Sequence, residues 1–162
     1  MSKTNAMRIL DKNKITYGIY EYDNEDGQIH GVAVADKINK PAEIVFKTLV
    51  THSKQNLFVF VIPVAEELDL KKAAKAAGEK KIEMLPMKEL QKWTGYIRGG
   101  CSPVGMKKLF PTFIDQSAAH LDKMLVSAGK VGLQMELNPQ HMKDIVSAAF
   151  IDLISDDKVR QG

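Results

Sequence analysis

Cysteine is nearly absent from this sequence. Of its 162 residues only Cys101 carries a thiol, so no disulfide can form within the chain and no paired-cysteine metal motif is present. The histidines are scattered without the spacing of metal ligands, at His30, His52, His120 and His141. We therefore predict a protein of a reducing compartment that holds no metal and no other cofactor.

Long apolar runs are missing as well. No stretch approaches the roughly 20 apolar residues that cross a bilayer, and the polar N-terminus lacks the apolar segment of a secretory leader. The net charge of +3 permits contact with a polyanion but falls short of a protein that coats DNA. We predict a cytoplasmic protein with no membrane partner and no DNA partner.

What is present is an alternation of strand-like and helix-like patterns. β-Branched and aromatic residues dominate 44–50 and 57–62, and the polar turn 53–56 between them predicts a hairpin. Asp69 and Gly78 are start and stop signals of an Ala-rich and Lys-rich helix. The other predicted helices are 4–14, 31–39, 86–93 and 138–149, and the other predicted strands are 17–22, 81–85, 111–114, 124–127, 133–137 and 150–154.

These elements predict a mixed α/β (α+β) protein. The sequence shows no repeat, no low-complexity stretch and no linker. We predict one compact domain over residues 1–155 and a C-terminal tail over residues 156–162.

A charged residue interrupts the first strand of the hairpin. Period-2 alternation puts Val45, Lys47 and Leu49 on one face of that strand. If the face is buried, the ammonium needs an anionic partner or ligand, because a buried charge without one costs several kcal/mol or is lost through a pKa shift. A cleft that receives a phosphate or a ribose would satisfy it, whereas on a half-exposed strand the side chain would extend to water.

A glycine-rich loop at 95–105 is the second candidate feature. Its backbone N–H groups, including those of Gly99 and Gly100, can face an anion or a developing oxyanion. The loop matches neither a P-loop nor a dinucleotide fingerprint, and a tight surface turn would have the same composition. Cys101 has no histidine near it in sequence, and Ser102 lacks the G-x-S-x-G elbow, so neither has local support as a nucleophile.

Basic and aromatic residues offer a weaker signal of RNA binding. Lysines could attract a phosphate backbone, although lysines on the solvated faces of helices are the commoner case. Aromatic side chains could stack on the bases of a single-stranded end or simply pack in the core. The lysines are Lys71, Lys72, Lys75, Lys80, Lys81, Lys107 and Lys108, and the aromatic residues are Tyr17, Tyr20, Tyr22, Trp93 and Tyr96.

Four motifs occur in order along the chain. They are VFKTLV at 45–50, LDLKKAAK at 68–75, TGY at 94–96 with GGCSPVGMKK at 99–108, and VSAGK at 126–130. Together they resemble the YbaK/EbsC family, which is related to the editing domain of bacterial prolyl-tRNA synthetase. The resemblance extends from the first helix to about Ile154, and four ordered motifs are far more specific than any one of them.

The resemblance implies a fold and an activity. The fold would be a single compact domain with a curved mixed β-sheet or partial barrel flanked by helices. The activity would be that of a trans-editing deacylase acting on the aminoacylated 3′ CCA end of tRNA, in its closest members on Cys-tRNA(Pro). Lys47 would contact the terminal nucleotide, and Gly99 and Gly100 would bind near the ester carbonyl, so these three are the predicted catalytic residues. Prolyl-tRNA synthetase is a candidate partner.

Six further residues are predicted to bind the substrate: Tyr22, His30, Cys101, Ser102, Ser127 and Gln134. Tyr22 and Ser127 match positions that line the family's pocket. His30 stands where some members have an aromatic residue, and Gln134 where some have an acidic one. These two departures bear on the choice of amino acid.

The family chemistry needs no protein nucleophile. The thiol of the substrate cysteine attacks its own ester carbonyl, a cyclic thiolactone forms and the tRNA is freed. Hydrolysis by a positioned water stays open. A different small amino acid is a further alternative cargo, because a pocket discriminates one methylene by only ~1–3 kcal/mol. A non-catalytic RNA-binding or regulatory module of the same fold is the last alternative.

Overall fold

The computed structural model describes residues 2–156 and builds them from five α-helices and eight strands. The helices are α1 (Asn5–Lys12), α2 (Gly31–Lys37), α3 (Leu70–Ala77), α4 (Leu90–Thr94) and α5 (Pro139–Ile145). The strands are β1 (Tyr17–Glu21), β2 (Phe46–Ser53), β3 (Asn56–Pro63), β4 (Glu83–Met84), β5 (Thr112–Asp115), β6 (Met124–Ser127), β7 (Leu133–Leu137) and β8 (Ala149–Ile151). Three 3₁₀ turns cover Ala42–Ile44, Met87–Glu89 and Gln116–His120.

The strands form two sheets. The smaller sheet is antiparallel with the order β1-β7-β6, and the larger is mixed with the order β4-β2-β3-β5-β8. In the larger sheet β2 and β3 are the predicted hairpin, paired from Phe46 opposite Pro63 to Ser53 opposite Asn56. One parallel bridge between Val45 and Leu125 links the two sheets. The mixed α+β class is confirmed, and the sheets do not close into a barrel.

The main core lies between the two sheets. Phe46, Val50 and Ile114 of the larger sheet pack with Val126 and Met135 of the smaller one, together with residues of α1 and α5. Burying side chains of this size removes enough apolar surface to stabilise the fold by about 1.5–3 kcal/mol each. The packing fixes which faces of β2 and β6 point inward.

Helix α3 covers the other face of the larger sheet. Ala73 and Ala74 pack on Phe58, Phe60 and Ile62 in a separate cluster. The small alanine side chains allow a close approach of helix to sheet, and the predicted signals set the helix ends. The Asp69 side chain accepts hydrogen bonds from the N–H groups of residues 71 and 72 at 2.9 and 3.0 Å, and Gly78 ends the helix at a φ of +72°.

The chain departs from prediction after α5. A helix through Ala149 is wrong, because α5 ends at Ile145 and Ser147 takes a φ of +53°. Residues 149–151 instead pair in parallel with β5 as the edge strand β8. Tertiary pairing overrides helical propensity there.

The predicted tail falls almost entirely outside the described residues. Only Asp156 of the range 156–162 is described, and its carboxylate lies 3.2 Å from the Lys72 ammonium. The domain boundary at residue 155 therefore stays a prediction. Between residues 2 and 156, the helices are all too short or too polar to cross a membrane.

Candidate active site

A pocket of about 380 Å³ opens along the edge of β2. Positions within four segments that are distant in sequence line it, namely 29–34 at the start of α2, 45–50 along β2, 84–90 up to the start of α4 and 98–101 in the glycine loop. The single positions Tyr22, Val64, Ser127 and Gln134 complete the lining of the pocket. Its volume is in the range that accommodates a small ligand.

The sheet topology keeps the edge of β2 open at this point. Strand β4 pairs only with Thr51 and His52, and the Val50 carbonyl accepts a hydrogen bond from the Leu85 N–H at 3.0 Å. Backbone groups of a strand point alternately to its two sides. The N–H and C=O of Thr48 therefore point to the same side as those of Val50, away from β3 and toward the pocket.

Lys47 is half-buried and lines this pocket, opposite Ile62 of β3. Burial lowers the pKa of its ammonium, and the nearby Glu67 and Glu66 carboxylates oppose part of that shift. Desolvation thus outweighs the favourable charges around the amine. An anionic ligand in the pocket would supply the stabilisation that water no longer gives.

The glycine loop meets the pocket through Gly99. This residue has a φ of +83°, and a Cβ atom on it would lie 2.8 Å from the Cδ1 atom of Ile29. Only glycine fits both requirements without strain. The N–H groups of Gly99 and Cys101 make no hydrogen bond within residues 2–156, so both are available as donors to a ligand.

Gly100 is buried inside the loop. Its N–H donates to the Ile97 carbonyl at 3.0 Å, inside the loop, and it does not line the pocket. A Cβ atom there would lie 3.0 Å from the Val131 backbone nitrogen. The structure thus shows Gly100 as the point of close approach between the loop and residues 130–131.

Cys101 and Ser102 differ in their relation to the pocket. Cys101 lines it, and burial raises the pKa of its thiol to about 12, with the Thr94 side chain opposing part of the shift. The thiol is therefore protonated near neutral pH and a poor nucleophile. Ser102 is fully buried outside the lining, and its Oγ accepts a hydrogen bond from the Val104 N–H at 3.2 Å. The structure does not bring Ser102 to the predicted substrate.

Three buried polar atoms at the pocket have no hydrogen-bond partner within the described chain. They are Tyr22 Oη, Thr48 Oγ1 and Gln134 Oε1. Buried polar groups are normally satisfied, and leaving one unsatisfied costs about 1–3 kcal/mol. All three residues line the pocket, so their side chains are candidates for hydrogen bonds to a polar ligand or to ordered water.

His30 and Ser127 also line the pocket. His30 is exposed before the first turn of α2, where its Nε2 lies 3.2 Å from Gln28 Oε1. Ser127 is buried, and its Oγ accepts a hydrogen bond from the Gly129 N–H at 3.1 Å. Neither side chain contacts another candidate nucleophile, so no catalytic triad is assembled here.

The structure brings together seven of the nine predicted residues and leaves Gly100 and Ser102 outside the lining. Their roles in binding and catalysis stay predictions. Sequence reasoning missed Thr48, because nothing in the pattern reveals that a strand hydroxyl lacks a partner, and it missed Arg98 and Met87, whose place depends on how the loop and α4 fold. Across residues 2–156, no three His, Cys, Asp or Glu side chains gather as metal ligands would.

The fold defines the class of protein. The crystal structure of a provisionally named trans-editing enzyme for prolyl-tRNA synthetase matches with a TM-score of 0.81 at 19% identity, over 96% of this chain and 99% of that one. The crystal structure of a hypothetical protein matches with a TM-score of 0.85 at 17% identity, over 94% and 100%. At these identities the likeness shows the fold alone.

Sequence comparison gives the family. Residues 29–145 match the model of the aminoacyl-tRNA editing domain. A protein of Enterococcus faecalis (strain ATCC 700802 / V583), provisionally named Cys-tRNA(Pro)/Cys-tRNA(Cys) deacylase EbsC, is 45% identical over 152 residues, 93% of each chain. The chain belongs to the aminoacyl-tRNA editing domain family. The family and the deacylase class predicted from the four motifs are confirmed.

Proposed function

We propose that this deacylase removes cysteine from tRNA in trans, with Cys-tRNA(Pro) as its principal substrate. The carrying observation is the pocket itself, whose lining combines the half-buried Lys47 with three residues, Tyr22, Thr48 and Gln134, that each have a buried polar atom without a partner in the described chain. The 45% identical relative is named for Cys-tRNA(Pro) and Cys-tRNA(Cys), which supports cysteine as the cargo. The pocket volume of about 380 Å³ lies within the range of small-ligand sites and accommodates one small amino acid and the terminal ribose.

Lys47 binds the terminal nucleotide in this proposal. A phosphate or a polarised ribose oxygen would restore the interaction that burial removes from its ammonium. The outward-facing N–H and C=O of Thr48 lie next to Lys47 on β2 and can hydrogen-bond to the 3′ end of the RNA. Lys47 and the backbone groups of Thr48 bind the nucleotide in this proposal, so they position the ester without taking part in the reaction.

The substrate thiol performs the cleavage. Its sulfur attacks the ester carbonyl carbon, the bond from that carbon to the ribose oxygen breaks, and a cyclic thiolactone leaves. The proton lost by the thiol ends on the ribose oxygen, so no external reagent is consumed. This route suits a pocket whose own thiol, Cys101, has a pKa raised to about 12.

The enzyme contributes position and oxyanion stabilisation. The N–H groups of Gly99 and Cys101 are the donors available for the carbonyl oxygen as negative charge develops on it. Removing one such donor typically costs about 100- to 1,000-fold in rate. Holding the thiol and the carbonyl in reacting geometry supplies much of the remaining acceleration.

The partners in this proposal are the 3′ CCA end of aminoacyl-tRNA and, to supply it, prolyl-tRNA synthetase, in the cytoplasm. The synthetase is included because a protein of the same fold is named as its trans-editing enzyme. A pocket of this size reads the amino acid and the terminal nucleotide but has no room for the tRNA body. Selection among tRNAs would then come from surfaces outside the pocket or from the synthetase.

The test is a panel of mischarged tRNAs with enzyme in excess. Cys-tRNA(Pro) and Cys-tRNA(Cys) should release free tRNA, and Ala-tRNA(Pro) and Ser-tRNA(Pro) should persist. Cleavage of the alanine ester alone would assign a different cargo to the same fold. Absence of release from every member would leave a non-catalytic RNA-binding module and sink the proposal.

A further inference from the structure

The segments that line the pocket carry opposite charges. Residues 84–108, which include the lining positions of 84–101, contain five Lys or Arg and one Glu, a net charge of +4. The whole chain has a net charge of +3, so the remaining residues together carry −1. Residues 21–36, which line the pocket around α2, contain five acidic residues and no Lys or Arg. A polyanion that enters the pocket is attracted by one segment and repelled by the other.

The cations beside the pocket lack carboxylate partners. We call Lys88, Lys92, Trp93 and Lys107 the basic surface. Its three lysines are exposed and form no salt bridge within residues 2–156. Near α2, by contrast, Lys37 pairs with Asp26 at 2.7 Å. Cations without carboxylate partners are free to replace the counterions of a phosphate backbone.

Contacts join three members of the basic surface, and the helical run that carries most of it also contributes to the pocket lining. Lys107 Nζ donates to the Lys92 carbonyl at 3.2 Å, and Lys92 Nζ lies 5.5 Å from the centre of the Trp93 ring. Lys88 lies one turn before Lys92 on the helical run 87–94. Met87 and Leu90 of the same run line the pocket. One helical run therefore contributes both to the pocket lining and to the basic surface.

Exposed apolar side chains accompany these charges. Met87 is 58% exposed, Ile97 is 53% exposed and Trp93 is 38% exposed. Single-stranded RNA is bound by a positive groove combined with flat or apolar side chains on which bases stack. The combination fits the unpaired end of a tRNA better than an acidic protein surface, which would not need the stacking side chains.

We propose that the basic surface binds the backbone of the tRNA acceptor end, so that the RNA approaches over α4 and away from α2. This inference rests on the proposed function and adds the direction from which its substrate enters. Lys88 and Lys92 contact phosphates, Lys107 supports Lys92, and Trp93 packs against an unpaired base. The acidic residues of 21–36 keep the helix of the stem off the other side of the pocket.

The test compares two pairs of lysines with the same spacing. Lys88→Gln with Lys92→Gln removes two charges from the basic surface. Lys71→Gln with Lys75→Gln removes two exposed charges, also four residues apart, from α3, which contributes no residue to the pocket lining. Binding of an uncharged RNA minihelix with a 3′ ACCA end is measured at several KCl concentrations, and thermal unfolding verifies that both variants fold.

The first pair should weaken minihelix binding about tenfold and lower the slope of log affinity against log salt by about 2, roughly 1 per lost phosphate contact. The α3 pair should change affinity less than twofold. Equal weakening by both pairs, or no weakening by the first, would overturn the inference.

A second substrate separates this inference from the proposed function. The cysteine ester of adenosine 5′-monophosphate, joined through the ribose 3′ oxygen, carries the groups that enter the pocket and none of the upstream phosphates or unpaired bases. Wild-type and the Lys88→Gln, Lys92→Gln variant should cleave it at the same rate. Equal loss on the mononucleotide ester and on the aminoacylated minihelix would place these lysines in the pocket and contradict a docking surface. Failure of wild-type to cleave either ester would instead contradict the proposed function, whatever the binding data show.

Discussion

At the scale of single residues, Lys47 is the position where sequence and structure agree most closely. The alternation of its strand already marked it as a cation between apolar neighbours, and the fold places it half-buried at a pocket with a pKa lowered by burial. That environment is unfavourable for a lysine in the free protein. We interpret it as the cost of a site made for an anionic ligand.

Replacing Lys47 by methionine keeps the side-chain length and removes the charge. We expect kcat/KM for Cys-tRNA(Pro) to fall roughly 10- to 150-fold, because a charge-assisted hydrogen bond contributes about 1.5–3 kcal/mol. Stability should be unchanged or higher, since burial disfavours the charged form. Lys71→Met on the exposed side of α3 is the control. Wild-type turnover by Lys47→Met would exclude the proposed contact.

Cys101 gives a prediction that depends on pH. Because its thiol has a pKa of about 12 in the fold and 9.0 ordinarily, alkylation by iodoacetamide should keep accelerating up to pH 11 instead of levelling off above pH 9. The unfolded protein, whose thiol ionises near pH 9, is the control. Between pH 9 and 12 this thiol is more protonated in the folded chain than in the unfolded chain, so the free energy of unfolding falls as pH rises. Fast alkylation of the native protein at pH 7 would contradict this environment.

Gly100 tests the close approach of the loop to residues 130–131. Gly100→Ala adds a Cβ atom 3.0 Å from the Val131 nitrogen and 3.2 Å from the Lys130 carbonyl carbon, both backbone atoms. We expect a loss of about 1–3 kcal/mol in denaturant unfolding and slower deacylation from the shifted loop. In Gly18→Ala the nearest atom lies at 3.9 Å, so no loss is expected. Equal effects at the two positions would refute the packing argument.

At the scale of secondary-structure elements, local signals were the reliable guide. The hairpin β2–β3 and both ends of α3 follow from alternation, from the Asp69 cap and from Gly78, and all of them are local. The end of α5 could not be predicted in the same way, because β8 is set by its pairing with β5, 34 or more residues earlier in the chain. The open edge of β2 could not be predicted from local signals either, because it exists only where β4 is too short to pair with β2.

The cap of α3 provides a test at this scale. Asp69→Ala should lower the free energy of unfolding by about 1 kcal/mol, a drop of roughly 2–4 °C in Tm for a domain of this size. Deacylation at 25 °C should be unchanged, because no residue of α3 lines the pocket. Asp69→Asn keeps a capping oxygen and should retain most of the stability. An equal loss of Tm in both variants would show that the carboxylate acts by its charge and not as a cap.

At the scale of the whole molecule, the site is assembled from segments that are distant in sequence. Motifs that the family shares predicted Lys47, Gly99 and Tyr22, which line the pocket, and also Gly100 and Ser102, which lie outside the lining and whose roles stay predictions. The partnerless Thr48 hydroxyl and the position of Arg98 depend on tertiary packing, which no local pattern carries. The uneven distribution of charge between 21–36 and 84–108 can be read from the sequence, but relating it to one site requires the fold, which brings positions of both segments to the same pocket.

The central claim is that the reacting thiol belongs to the substrate and not to the protein. Wild-type and Cys101→Ser enzymes should each be mixed in excess with Cys-tRNA(Pro) and, separately, with Ser-tRNA(Pro), and the release of tRNA followed in a single turnover. Both enzymes should release tRNA from the cysteine ester at rates within about threefold and leave the serine ester intact, because the buried Cys101 thiol is protonated near neutral pH. Loss of activity in Cys101→Ser, or cleavage of Ser-tRNA(Pro) as fast as Cys-tRNA(Pro), would contradict it.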